Sequence, residues 1–233
     1  MICFAFLLSP LQAEMRQWTD LEGRTMEAVL KGVDSGQVRF ERGGQRFVFP
    51  LAQLAEPDQE YITKWEEARL AREAEKAAWR KVHTQFEGLL REVRGRQVRR
   101  LDMDVLNDKD FFVFYYSASW CGPCVQFTPT LINFYDELKR EYSNIEFILI
   151  PSDRSMEDSV RYHQNSRMPW PMLNHEDRRT PPIVRENATR GIPGLVLVNG
   201  KGEVLATTGS SARNHVMQAI RTTLEEHQRE REG

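Results

Sequence analysis

The sequence predicts an α/β fold: a mixed sheet flanked by helices, preceded by a small β unit and a long charged linking helix. Three observations predict it. Phe111-Phe112-Val113-Phe114-Tyr115-Tyr116 is a continuous apolar run, as expected of a strand buried on both faces. Val125 to Tyr142 follows at helical period, with Val125, Phe127, Leu131, Phe134, Tyr135 and Leu138 as its apolar set. Two more apolar runs, Ile145–Ile150 and Leu195–Val198, supply further buried strands of the same sheet.

Taken in order, residues 1–13 are a short apolar stretch ending in Leu-Gln-Ala. They have the length of a signal-peptide core, with Ala13 acceptable at a cleavage point. The expectation is an exported or periplasmic protein, with a cytoplasmic one as the alternative. Residues 14–57 form a small β unit. Arg24 to Val33, Val38–Glu41 and Phe47–Phe49 are its strands, with turns at Asp34-Ser35-Gly36 and Gly43-Gly44. Residues 58–94 carry dense mixed charge over a thin apolar stripe of Tyr61, Ile62, Trp65, Leu70, Ala74 and Trp79. That pattern suits an exposed linking helix with i,i+4 ion pairs. A basic run from Arg91 to Arg100 lacks interleaved aromatic residues, so it reads as a solvated strand or loop rather than a nucleic-acid patch.

Residues 95–233 form the α/β domain. Ser152-Asp153 begins a loop into a short helix around Met156 to Gln164, and an irregular stretch follows with Met168-Pro169-Trp170-Pro171 and Pro181-Pro182. Asn199-Gly200-Lys201-Gly202 turns the chain so that Val204–Thr207 pairs back on Leu195–Val198, and His215–Glu226 closes the domain as a helix.

The chemistry concentrates at Trp120-Cys121-Gly122-Pro123-Cys124. Two thiols at this spacing close a disulfide only where the backbone turns tightly, and a turn opening a helix does that. The same turn aims free N–H groups and the positive end of the helix dipole at the first sulfur, which favours a thiolate. Cys121 is thereby the nucleophile and Cys124 its resolving partner. A zinc site would need two more ligands. The only other cysteine is Cys3, and the five histidines show no paired metal spacing. An inert structural disulfide is the other alternative. Gly191-Ile192-Pro193-Gly194 lies just before an apolar strand. A cis bond at Pro193 would bring Ile192's backbone beside the disulfide, and an ordinary trans proline would simply start the strand. Spacing alone leaves both open.

Trp120 to Cys124 together with Gly191-Ile192-Pro193 resembles the thioredoxin superfamily. Phe114 to Cys121, Phe127-Thr128-Pro129 with Leu131, Phe134-Tyr135, Ser152-Asp153, Met168-Pro169-Trp170 and Glu176-Asp177-Arg178 resemble its tryparedoxin and nucleoredoxin (TlpA-like) branch, over roughly residues 95–226. The resemblance implies a cis Pro193 and a thiol–disulfide oxidoreductase acting on protein disulfides. It implies no cofactor beyond the Cys121–Cys124 pair, and an electron donor or acceptor protein as a further partner. Trp120, Gly122, Pro123, Ile192 and Pro193 would contact substrate; Trp170 is a candidate for the rim, with simple packing as the more usual role of an aromatic there. Gly122-Pro123 is the thioredoxin form, whereas the branch often carries two prolines there. The form leans towards a reductant, since thioredoxin sits near about −270 mV. Tyr115 stands where thioredoxins carry a buried acid, so no proton acceptor for Cys124 carries over. Arg16 to Asp20 with Gly23, Ala28, Val38, Pro50-Leu51, Leu54, Asp58 and Tyr61 is similar to the first Sla-type homology domain, an SH3-like barrel that binds peptides.

A thiol peroxidase on the same fold would want a threonine or similar donor ahead of the reactive thiol. An exported adaptor with a vestigial or structural cysteine pair is the remaining alternative. Net charge is −2, which gives no reason to expect nucleic acid, and no segment has the apolar length to span a membrane.

Overall fold

The computed structural model describes residues 15–174, 180–208 and 213–232. Residues 1–13, where a signal peptide was expected and Cys3 lies, and His175 with the acidic Glu176-Asp177-Arg178 lie outside the described residues. The chain divides into two compact units at Lys76/Ala77.

The first unit is an antiparallel meander of β1 (Met15–Thr19), β2 (Thr25–Asp34), β3 (Gln37–Arg42) and β4 (Gln45–Pro50), in that spatial order. Its two tight turns use positive φ at both central positions, Ser35 and Gly36 in one and Gly43 and Gly44 in the other. Such turns match the twist of the flanking strands. The Gly-Gly and Ser-Gly pairs were therefore informative. Trp18, Ala28, Leu30, Val38, Phe40, Leu54 and Ile62 make its core, and the Trp18 indole N–H is satisfied by the Ala28 carbonyl at 2.9 Å. Asp58 is buried but accepts from the Arg16 guanidinium at 2.9 Å and the Thr19 N–H at 2.7 Å.

Helix α1 (Glu56–Trp79) carries the ion pairs expected of it, Arg69 with both Glu66 and Glu73. The expected continuation to residue 94 is corrected. The chain leaves helical geometry at Arg80, forms the short α2 (Lys81–Phe86), and turns at Gly88 with φ +74°. The basic run then becomes a hairpin, β5 (Leu90–Arg94) and β6 (Gln97–Arg100), around Gly95 at φ +54°.

The second unit continues with β7 (Phe111–Ser117), α3 (Gly122–Glu141), β8 (Ile145–Pro151), α4 (Met156–Ser166), β9 (Met172–Leu173), α5 (Pro182–Glu186), β10 (Gly194–Asn199), β11 (Val204–Thr207) and α6 (Arg213–Glu232). The seven-stranded sheet runs β11-β10-β7-β8-β9-β5-β6, with β7, β8 and β9 parallel and the remaining pairs antiparallel. All seven residues of β7 are buried. Phe111, Val113 and Tyr115 face a core shared with Leu131 and Leu138 of α3 and Val216 and Ile220 of α6. Phe112, Phe114 and Tyr116 face the opposite core with Phe86 of α2 and Val184 of α5. Helices on both faces explain why β7 reads as an unbroken apolar run.

Of the two roles open to Trp170, the structure gives packing and not the rim. The residue is 1% exposed and packs its ring against Tyr135 and Phe147 at centroid distances of 5.3 and 5.5 Å. The flanking prolines direct the backbone, while the large ring follows the aromatic cluster inward.

His163 of α4 is buried, with Nε2 2.7 Å from the Trp170 carbonyl oxygen. Burial lowers its pKa below the ordinary 6.5, opposed by the bond to Trp170. The unfolded chain therefore binds the extra proton as pH falls below 6.5. His163 contributes stability that is full above that value, declines below it, and is lost once pH has passed through the folded pKa. Urea unfolding from about pH 8 to about pH 5 should show this decline in the wild type, and His163→Gln should lack that part of the slope.

Candidate active site

The strand-to-helix junction builds the site. Cys121 is the N-cap of α3, and its Sγ accepts the Cys124 backbone N–H at 3.2 Å. Pro123 lies in the first turn, where its missing N–H costs nothing. Cys121 and Cys124 form a disulfide with a Cα separation of 5.2 Å. Cys121 is 6% exposed and Cys124 is fully buried, so Cys121 is the residue of the pair that solvent reaches. Gly122 and Pro123 are exposed beside it. A Cβ at Gly122 would meet no atom of this chain within 4 Å beyond its immediate neighbours and helix backbone, so nothing in the fold itself requires a glycine there.

The Ile192–Pro193 peptide is cis. The Ile192 carbonyl oxygen lies 3.8 Å from Cys121 Sγ, and its side chain packs on the small cluster of Ala118, Cys121 and Cys124. Pro193 is buried and precedes β10. At Gly194 a Cβ would run into the Thr189 side chain, so the backbone of this loop approaches closely there.

Trp120 is 64% exposed, and its indole N–H donates to the Ser152 carbonyl at 3.2 Å. The turn before it is held from the β8 side. Asp153 Oδ1 accepts from the Ser119 N–H at 2.8 Å and the Ser119 hydroxyl at 2.6 Å. Asp153 Oδ2 is buried without a hydrogen-bond partner among the described residues. Thus Cys121, Cys124, Trp120, Gly122, Pro123, Ile192 and Pro193 come together, and Trp170 does not.

Beneath Cys124 lies a feature that sequence reasoning missed. The Thr128 hydroxyl donates to the Cys124 carbonyl at 2.9 Å. It also sits 2.9 Å from the Tyr115 hydroxyl and 2.7 Å from the Tyr162 hydroxyl. The Ser117 hydroxyl reaches Tyr162 at 2.9 Å. Burial, and then the neighbouring Tyr162, push the Tyr115 hydroxyl above its ordinary range, so Tyr115 is neutral. The i,i+4 spacing of Cys124 and Thr128 was a usable signal. Nothing in the sequence pointed to Tyr162. The apolar set of α3 needs one correction: Val125 is 46% exposed, and Thr128 takes a buried place on the inner face.

Among the described residues, no group of three or more His, Cys, Asp or Glu side chains is arranged to hold a metal ion, and no helix is long and apolar enough to cross a membrane.

Thr128→Val keeps the volume and removes the bridging hydroxyl. It should lower unfolding free energy by about 1–3 kcal/mol, the cost of stranding buried polar groups. Thr128→Ser should retain most of the stability. Urea titration of both variants checks this.

Residues 109–204 match the thioredoxin-like family. Nucleoredoxin of Xenopus laevis is 35% identical over 96 residues, covering 41% of this chain and 23% of that protein. The human nucleoredoxin is also 35% identical over 96 residues, 41% of this chain and 22% of its own. The match therefore spans less than a quarter of the length of these nucleoredoxins. Tryparedoxin of Trypanosoma brucei brucei is 34% identical over 105 residues, covering 45% of this chain and 69% of that protein. Among solved structures, tryparedoxin II in complex with glutathionylspermidine is 31% identical with a TM-score of 0.45, covering 55% of this chain and 86% of that one. Sharing more than a third of its aligned residues with a tryparedoxin across two thirds of that protein's length, the chain belongs to the thioredoxin-like family.

Proposed function

We propose that this protein is a thiol–disulfide oxidoreductase acting on protein disulfides, with Cys121 as nucleophile and Cys124 as resolving thiol. One observation carries the reading. The more exposed cysteine caps a helix and takes the Cys124 N–H, while its partner is sealed beneath it. An N–H directed at sulfur and the helix dipole both favour negative charge on Cys121 over Cys124.

In the reduced protein, the Cys121 thiolate attacks one sulfur of a substrate disulfide. The S–S bond breaks, the mixed disulfide forms, and the first substrate thiolate takes a proton from solvent. Cys124 then loses its proton and attacks Cys121 Sγ. The second substrate thiolate leaves and the Cys121–Cys124 bond closes, so two electrons have passed to the substrate. A dithiol donor protein restores the reduced pair by the reverse exchange. The Ile192 backbone beside Cys121 offers an edge for an extended substrate segment. Pro123 fixes the turn, Gly122 leaves the approach open, and Trp120 walls one side. The low exposure of Cys121 fits a group approached along one direction by a disulfide laid against the loop.

For residues 14–57 the proposal is an SH3-like peptide-binding module. Its support is the short meander with tight turns and its own aromatic core. Export rests on the apolar character of residues 2–11.

With dithiothreitol as electron source, the wild type should reduce insulin. Cys121→Ser should fall to the uncatalysed background, and Cys124→Ser should accumulate a mixed disulfide visible on a non-reducing gel. Retained turnover in Cys121→Ser would defeat the assignment. In the reduced wild type at about pH 7, Cys121 should alkylate faster than Cys124, checked by mass spectrometry of the labelled peptides.

A further inference from the structure

Beside the dithiol lies a groove of about 630 Å³ lined by Ser119, Trp120, Ser152, Arg154 and Asp158. Its polar groups are mostly committed elsewhere. The indole N–H of Trp120 is held by the Ser152 carbonyl, so the exposed ring offers its face rather than a donor. Ser119 gives both its N–H and its hydroxyl to Asp153. The Asp158 carboxylate takes the Ser155 hydroxyl at 2.7 Å and lies 3.9 Å from the Arg161 guanidinium on the same helix. Arg154 differs: it is exposed and makes no hydrogen bond or ion pair among the described residues. The uncommitted charge of the groove is positive, and it stands on the loop that pins Trp120.

We propose that Trp120 and Arg154 form a recognition subsite that favours protein disulfides with an aspartate or glutamate close to the reacting cysteine. The inference rests on the oxidoreductase reading of Cys121 and deepens it by naming the substrate class. A disulfide laid across Cys121 places its flanking residues over this groove. A carboxylate there pairs with the guanidinium, and the adjoining side chain covers the indole face. The five donors of the guanidinium suit a carboxylate in two-point contact. Arg154 takes no electron and no proton; the exchange steps are those already given. Because the pair is exposed, the expected preference is modest, about threefold, and acts on encounter and orientation. A weak selector suits a protein that must release its product after each exchange.

The test uses the reduced full-length chain and two disulfide-bonded peptides that differ only in carrying Glu or Lys beside the cysteine. Single-turnover rates are compared for the wild type, Arg154→Gln and Arg154→Glu. The wild type should favour the Glu peptide about threefold, Arg154→Gln should lose most of that ratio, and Arg154→Glu should invert it. At about 1 M salt the wild-type ratio should shrink towards unity. A ratio unchanged in Arg154→Glu, with both peptides reduced, overturns the subsite and leaves the dithiol reading intact. Equal wild-type rates for the two peptides do the same. If Arg154→Glu slows reduction of glutathione disulfide but leaves the peptide ratio untouched, the groove takes small carboxylates and the protein-substrate proposal is wrong. If the wild type reduces neither peptide, the oxidoreductase reading itself fails and takes the subsite with it.

Discussion

Strand β7 is hydrogen-bonded on both edges and buried on both faces, so its C-terminal end is fixed in space before any loop contributes. A slip of one residue would exchange Phe112, Phe114 and Tyr116 with Phe111, Val113 and Tyr115 across two differently shaped cores. The interior is too densely packed to accept that exchange. The chain must therefore leave the sheet at Ser117 and enter α3 within five residues. The Ser119–Asp153 clamp and the Trp120–Ser152 bond fasten the outside of that turn. The turn itself delivers the Cys124 N–H to Cys121 Sγ. The position and polarisation of the first sulfur are thus consequences of how the seven residues of β7 are packed.

The same packing decides what lies under the second sulfur. Tyr115 and Thr128 project from β7 and α3 into one interior, and Tyr162 and Ser117 complete a hydroxyl cluster there. Four hydroxyls satisfy each other and the Cys124 carbonyl without placing a charge in the core. A lone carboxylate in that position would have to be desolvated when ionised. The cluster meets the demand that buried polar groups be paired, at the cost of depending on every member.

Legibility in the sequence followed the physics of each element. Strands β7, β8 and β10 were readable because both faces are buried and their apolar runs are unbroken. The hairpins of the first unit were readable because Gly43-Gly44 and Ser35-Gly36 permit positive φ. The β5–β6 hairpin was hidden because its four-residue outer strand is fully exposed and carries two arginines, which gives no alternation to detect. Strand β9 has two residues, too few for any period. At the site, Cys121 and Cys124 were legible from their spacing, whereas the cis bond at Pro193 followed only from the family resemblance. Asp153 and Tyr162 make contacts across 34 residues, and only the fold brings them to Ser119 and Thr128. Trp170 took the packing role that its size favours: although prolines flank it, the ring is drawn into the aromatic core.

A neutral Tyr115 beneath Cys124 has a consequence for the exchange reaction. In the proposed exchange Cys124 attacks the mixed disulfide, and its proton must leave. A buried carboxylate would accept it locally and would itself titrate, tying the second step to its own pKa. The Tyr115 hydroxyl is held above its ordinary range by burial and is already engaged by Thr128, so it serves as a donor and not as a base at neutral pH. The proton then departs through solvent or the departing substrate thiolate, which needs one in any case. In that arrangement the substrate completes the proton balance, and the buried interior holds the resolving cysteine in position without taking part in the transfer.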